Sequence, residues 1–261
     1  MRKLQHILSK KMFTRSIALL ITVGLVASQP NVSFAQSSDT RTCIRTESYN
    51  RITDEQGLIK MALSQSNDFN ATTNYIMEED NNSTENGLTA IQLLNEDYYS
   101  DGSIEKDYVV DNFALEDRAT GDISYASSTT STNTTKYNIA ARQTLYFTCK
   151  YYASGVPNVY TDILVHATKV ESYVNFSSTS VAFFQHGIIA QLFLNSAYPE
   201  IYNIQTVSTP VNNKSYYVYA NESNYYKVYG AGQYASIMSV RTANNNEFEL
   251  QIDILSILDG V

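Results

Sequence analysis

The most regular pattern of apolar and polar positions lies near the end of the chain, over 246–254. Apolar residues take every second position there, which predicts a β-strand with one face in a core. The same period of two over 143–152 and 161–170 predicts two more strands. Shorter apolar runs predict the remaining strands of this half, at 180–184, 188–194, 201–207, 215–219, 225–229 and 233–241.

The first half of the chain predicts one helix and one hairpin. Thr53 and Gln56 form a capping-box pattern, and an apolar stripe at helical spacing follows until about residues 65–67. Segments 89–99 and 103–115 flank an Asp-Gly pair, which is a strong turn signal because glycine accepts a positive φ.

Together these elements predict a mainly β protein. Seven or more short strands in the C-terminal half, separated by polar turns, favour an antiparallel sandwich or barrel. The short helix and the hairpin precede it. Strands and helices do not alternate along the chain, so a parallel sheet is not expected.

A stretch of uncharged Ser, Thr and Asn at 127–135 predicts a linker or long loop. Residues 36–126 before it hold 18 acidic and 6 basic residues, whereas 136–261 after it holds 8 acidic and 7 basic ones. This asymmetry indicates an acidic N-terminal region and a separate β-rich domain, or one domain with an acidic flank.

Residues 1–35 have the layout of a secretory signal peptide. Five basic residues precede an apolar run over 16–27, and Ser33-Phe34-Ala35 places small residues at the cleavage site. The apolar run is too short to span a bilayer, which takes ~20 residues. We therefore expect cleavage after Ala35 and a secreted, extracellular protein without a membrane span, and the long basic start is typical of a Gram-positive bacterium.

The net charge of the chain indicates which classes of molecule it is expected to bind. The whole chain has a formal charge of −8, and removal of residues 1–35 would leave 13 basic and 26 acidic residues, a charge of −13. Such a surface repels anionic polymers, so nucleic acid is not an expected partner. A surface glycan or a protein remains as the expected partner.

Cys43 and Cys149 both follow the signal segment. An even number of cysteines outside the cell is compatible with one disulfide. The sequence leaves two alternatives open, a Cys43–Cys149 bridge and two separate thiols.

Tyrosine is abundant, with 21 residues, and it is concentrated between 215 and 234. Two tyrosine-rich runs flank the segment 220–224, which suits a hairpin loop. Neighbouring tyrosines on a strand face opposite ways, so one face packs and the other presents phenol rings to solvent. Such rings suit a binding surface, although a cross-strand ladder that only stabilises the sheet is the alternative. The candidate binding residues are Tyr216, Tyr217, Tyr219, Tyr225, Tyr226 and Tyr229.

No linear motif predicts catalysis, a cofactor or a metal site. Ser103 and Lys106 match Ser-x-x-Lys, but the motif falls in a predicted strand and its usual partner motifs are missing. A loose calcium loop could use Asp97, Asp101 and Glu105, although the spacing fails the EF-hand pattern.

These observations favour a secreted β-rich protein that acts by binding or by structure at a cell surface or in the extracellular space. They favour a protein that is not an enzyme. Two alternatives remain, a secreted hydrolase that uses paired carboxylates and a toxin- or bacteriocin-like effector.

Overall fold

Two antiparallel sheets make up most of the protein. The computed structural model describes residues 41–68, 75–78, 84–86, 88–124, 133–155, 160–191, 200–220, 226–227, 233–243 and 247–258. Its strands are β1 (Cys43–Ser48), β2 (Tyr75–Glu78), β3 (Thr84–Asn86), β4 (Leu88–Tyr99), β5 (Ile104–Asp117), β6 (Ile123–Ser124), β7 (Tyr137–Ala153), β8 (Tyr160–Val174), β9 (Val181–Gln191), β10 (Glu200–Val207), β11 (Lys214–Tyr219), β12 (Tyr226–Lys227), β13 (Gln233–Thr242) and β14 (Glu247–Asp253). Its helices are α1 (Glu55–Asp68) and α2 (Ile254–Leu258), with a 3-10 turn at Thr134–Lys136.

The larger sheet has the strand order β1-β4-β5-β7-β8-β11, with β6 paired to β5 and β12 paired to β8. The smaller sheet has the order β10-β9-β13-β14-β2-β3. The sheets pack face to face without closing into a barrel. The predicted fold class, a mainly β protein with an antiparallel sandwich or barrel preceded by a short helix and a hairpin, is confirmed, and of the two alternatives the structure has the sandwich.

The predicted hairpin forms as β4 and β5, which pair from Leu88 opposite Phe113 to Tyr98 opposite Ile104. Gly102 in the turn has a φ of 84°, the left-handed conformation that favours glycine. The hairpin lies inside the larger sheet, because β5 also pairs with β7 from Ile104 opposite Tyr151 to Asp117 opposite Tyr137.

Both regions of the chain therefore contribute to both sheets. In the larger sheet β5, from the acidic region 36–126, pairs with β7 from 136–261, and in the smaller sheet β2 pairs with β14. All described residues belong to one compact unit. No helix in the described part of the chain is long and apolar enough to cross a membrane.

The helix begins one residue later than the capping pattern indicates. Asp54 is the N-cap, since its Oδ1 accepts the Gly57 N–H at 2.7 Å and its carbonyl accepts the Leu58 N–H at 3.0 Å. The apolar stripe of α1 packs on the outer face of the larger sheet, with Leu58, Ile59 and Ala62 fully buried.

One predicted interruption is absent. The segments 180–184 and 188–194 fall largely in a single strand, β9, which runs through Gly187. A Cβ on Gly187 would lie 2.0 Å from the carbonyl oxygen of Asn203, so the glycine allows close approach of β10 and does not mark a turn.

A layer of polar side chains divides the core between the sheets. Asn112, Gln143 and Ser172 lie in register across β5, β7 and β8, and His186 of the other sheet shares a 3.0 Å hydrogen bond with the Ser172 hydroxyl. All four are at most 1% exposed. Apolar clusters lie on both sides of it between the sheets, one around Phe147 and the other around Phe184, Met238, Phe248 and Leu250.

Several polar atoms of this layer have no hydrogen-bond partner among the described residues. They are both amide atoms of Gln143, Oδ1 of Asn112 and Nε2 of His186. Each unpaired buried group costs about 1–3 kcal/mol, so the layer weakens the fold while it fixes which residues face each other.

Burial lowers the pKa of His186 to about 4, and this should make stability depend on pH. The unfolded chain takes up a proton near pH 6.5 and the folded protein only near pH 4. We expect the free energy of unfolding to be highest above pH 6.5 and to fall by about 3 kcal/mol towards pH 4.

Denaturant titrations at pH 7.5, 6 and 5 would measure this effect. His186→Gln, which cannot titrate, should lose the dependence, whereas His166→Gln should keep it. Equal pH profiles for wild type and His186→Gln would contradict the assignment.

A second prediction concerns the fragment 136–261. Without β5, one side of β7 loses its paired strand, and the core loses Tyr108, Val110 and Phe113. We expect the fragment to lack a cooperative thermal transition by circular dichroism, and co-expression with 36–126 to restore it. A cooperative transition of the fragment alone would show an independent domain.

Candidate functional site

The outer face of the larger sheet presents a group of aromatic rings around one lysine at its β11 edge. Tyr217 and Tyr219 are 44% and 62% exposed, and their rings stack with centroids 6.4 Å apart. The Lys169 ammonium lies 3.9 Å from the ring centroid of Tyr146 and 5.3 Å from that of Tyr217. We call these four residues the tyrosine–lysine patch.

Strand geometry explains why these rings are exposed. β11 pairs with β8, and the register sets Tyr217 opposite Glu171 and Tyr219 opposite Lys169. The alternate residue Val218 faces inward and is fully buried. Tyr216 also faces inward, where its ring contacts Phe184 edge-on with centroids 5.2 Å apart. The tyrosines of β11 therefore divide between a packed and an exposed face.

The two tyrosine-rich runs do not form a hairpin with each other. β11 and β12 both pair with β8, β11 along 169–174 and β12 at Val165 and Leu164. They form two segments of one interrupted edge, because β8 is long enough at 15 residues to pair with both. Of the other candidates, only the backbone of Tyr226 is described, and Tyr225 and Tyr229 lie outside the described residues.

Next to the patch, on the same face of the sheet, lies a network of buried and half-buried charges. Asp111, on β5, is fully buried, and its Oδ1 accepts a 2.5 Å hydrogen bond from the Thr144 hydroxyl. The same oxygen lies 3.8 Å from the Arg51 guanidinium and 3.7 Å from that of Arg142. Arg142 also reaches Glu171, with a distance of 3.6 Å between Nη2 and Oε1.

This charge network holds the patch residues in place. Arg51 donates a 2.6 Å hydrogen bond to the Tyr146 hydroxyl, which in turn donates to Glu171 at 3.3 Å. The Ser215 hydroxyl of β11 donates to the other oxygen of Glu171 at 2.7 Å. The network thus links the segment before α1, the centre of the sheet and the edge strand.

Asp111 and Glu171 both contact Arg142, and this pair can be compared with the paired carboxylates of a hydrolase. Burial raises the pKa of Asp111 above its usual range, although Arg142 and Thr144 oppose the effect. A raised pKa can mark a general acid, but a fully buried carboxyl cannot reach a substrate. The geometry therefore fits a supporting ion network better than a catalytic pair.

The cysteines lie on separate strands and both are free thiols. Cys43 is exposed on β1 and Cys149 is buried on β7, with β4 and β5 between them. Three strand spacings of about 4.8 Å separate the two residues, whereas a disulfide needs Cα atoms within about 7 Å. The disulfide alternative is therefore not realised in this structure. Burial raises the pKa of the Cys149 thiol, which makes it a poor nucleophile.

The residues of the other candidate motifs do not form a site, although Asp97 lies opposite Glu105 in the β4–β5 hairpin. The Ser103 hydroxyl donates to Asp101 at 3.0 Å, while the Lys106 ammonium pairs with Glu96 at 2.8 Å. Asp97 accepts a hydrogen bond from Thr46, and Glu105 pairs with Lys150. Within the described ranges, no group of three or more His, Cys, Asp or Glu side chains could hold a metal ion.

Comparison with known proteins gives no further guide to the site. The chain matches no family model, no curated protein and no solved structure.

The charge network generates a stability prediction. Arg142→Met should lower the free energy of unfolding by about 3 kcal/mol, since it leaves a buried carboxylate short of a cation. The loss should be larger at pH 8 than at pH 5, because protonation of Asp111 removes the need for that cation.

Denaturant melts of Arg142→Met at both pH values would measure this. Arg118→Met is the matched control, because Arg118 pairs with Glu55 at 3.9 Å on an exposed surface, and its loss should cost less than about 1 kcal/mol. If both variants lost the same free energy of unfolding, this would contradict the structural role assigned to the network.

Proposed function

We propose that this chain is a secreted protein that acts by binding at a cell surface or in the extracellular space, and that the tyrosine–lysine patch is its contact surface. The signal-peptide pattern of residues 1–35 supports export. The observation that carries the proposal is the exposure of Tyr217 and Tyr219 beside Lys169 on a supported sheet.

Exposure of a tyrosine ring to water is unfavourable in free energy, and burial of the ring against a partner contributes strongly to binding. Each offers a large, rigid apolar surface with a hydrogen-bonding hydroxyl, and few torsions are frozen on binding. Lys169 lies against the Tyr217 ring, and Arg142 holds Glu171, which is opposite Tyr217 in the neighbouring strand. A preorganised surface loses less entropy on binding than a mobile one.

The patch also differs from the other exposed apolar side chains. Tyr49 is as exposed as Tyr217, at 44%, but its hydroxyl donates to Glu47 at 3.0 Å and to Glu96 at 2.9 Å. These two carboxylates raise the pKa of Tyr49 and occupy its polar end. Tyr49 is therefore a structural residue with an exposed ring, and it provides a matched control.

A binding assay with the purified full chain tests the proposal. Whole cells, insoluble cell wall, immobilised glycans and matrix proteins would be presented, and bound protein would be measured against concentration. Saturable binding should weaken at least about tenfold in a Tyr217→Ser, Tyr219→Ser double variant, as expected when central aromatic contacts are removed.

Tyr49→Ser should bind as the wild type does, and circular dichroism should show that every variant remains folded. Equal loss of binding in Tyr49→Ser and in the double variant would place the contact surface elsewhere. Absence of saturable binding to any presented surface would count against a binding role.

A further inference from the structure

The edge strand β11 has backbone groups that point away from the sheet. The Ala220 N–H donates to the Thr168 carbonyl at 3.1 Å, so alternate residues, Val218 and Tyr216, direct their N–H and C=O groups towards β8. Ser215 and Tyr217 then direct theirs to the open side. Within the described ranges, no strand lies on that side of β11.

One contact supports this assignment of directions. Tyr219 lies two residues after Tyr217, so its backbone groups also point away from β8. Its carbonyl accepts a 2.7 Å hydrogen bond from the Asn203 side chain of β10. The outward-pointing backbone groups of β11 without a partner are therefore the N–H and C=O groups of Ser215 and Tyr217.

Side chains frame this open edge with aromatic rings and positive charge. Lys169 lies on the outer face against Tyr217, and Lys214 lies 5.1 Å from the ring centroid of Tyr216 on the inner face. Neither lysine has a carboxylate partner among the described residues. The nearby Glu171 is engaged by Arg142 and Ser215.

This edge is locally basic in a protein whose net charge is −8. Lysines on a free edge strand discourage pairing with neutral strands, yet they favour a strand that carries the opposite charge. A second copy of this acidic chain would be repelled as a whole.

We propose that β11 binds an extended, acidic polypeptide segment of a partner protein as an added strand of the larger sheet. The inference rests on the proposed function, since it names the partner of the same patch. The backbone of Ser215 and Tyr217 pairs with the segment, and its apolar side chains pack on Tyr217 and Tyr219 on the outer face. The alternate carboxylates face Lys214 on the inner face, and Lys169 adds positive charge to the same edge.

The first test uses fluorescence anisotropy with labelled decapeptides of alternating Val and Glu, and of alternating Val and Lys, against the full chain. The Val–Glu peptide should bind saturably and at least about tenfold more tightly than the Val–Lys peptide at low salt. Equal affinities, or no saturable binding of either peptide, would overturn the proposal.

The second test separates backbone pairing from ring stacking. Tyr217→Pro removes the outward N–H without touching the bonds to β8, whereas Tyr217→Thr removes the ring and keeps the N–H. Tyr217→Pro should abolish binding and Tyr217→Thr should weaken it only several-fold. Equal effects would assign binding to the ring alone and contradict strand addition.

A peptide modification keeps the proposal testable if Tyr217→Pro does not fold. A Val–Glu peptide N-methylated at every residue offers no N–H on either edge and cannot form a ladder, so it should not bind the wild type. A Lys169→Gln, Lys214→Gln double variant should bind the unmodified peptide about tenfold less tightly. Undiminished binding in either case would overturn the proposal.

The outcomes distinguish this inference from the proposed function. Tyrosine-dependent binding to cells or glycans without peptide binding would leave the proposed function standing and defeat strand addition. A concentration-dependent dimer in sedimentation that Tyr217→Pro dissolves would show that β11 pairs with a second copy, and this would also defeat it.

Discussion

The structure depends on the pairing register of β7, which β5 and β8 flank along most of its 17 residues. One register sets two rows of side chains at once. On the inner face it aligns Asn112, Gln143 and Ser172, and on the outer face it aligns Asp111, Thr144 and Glu171. A slip by one residue would exchange the rows and bury the carboxylates against the second sheet. The pairing register of β7 therefore positions both the polar layer and the charge network.

This constraint also links the core to the candidate binding surface. The β7–β8 register fixes the position of Glu171. Its carboxylate accepts hydrogen bonds from Tyr146 and from Ser215 of the edge strand. Neither hydrogen bond lies in the core, yet both depend on the pairing within it. The exposed tyrosines therefore lie on an edge strand whose position is tied to the central strands through Glu171.

The sequence predicted what depends on local pattern. The period of two places Phe248, Leu250 and Ile252 in the core, and the Asp-Gly turn joins β4 to β5. Pairing between distant segments was not predictable in the same way. The tyrosine runs suggested a local hairpin, but β8 lies about 50 residues earlier in the chain and takes both of them. The partners of Asp111 likewise come from Arg51 and Arg142, which no spacing rule connects.

The separation of Cys43 from Cys149 has a consequence for how this fold can be produced. The interior closes around a free thiol, and no covalent bond joins the strands. Reaching the native structure therefore consumes no oxidant and needs no isomerase to sort cysteine pairs. Such a chain can fold in reducing or in oxidising surroundings, and its stability there rests on packing and strand pairing alone.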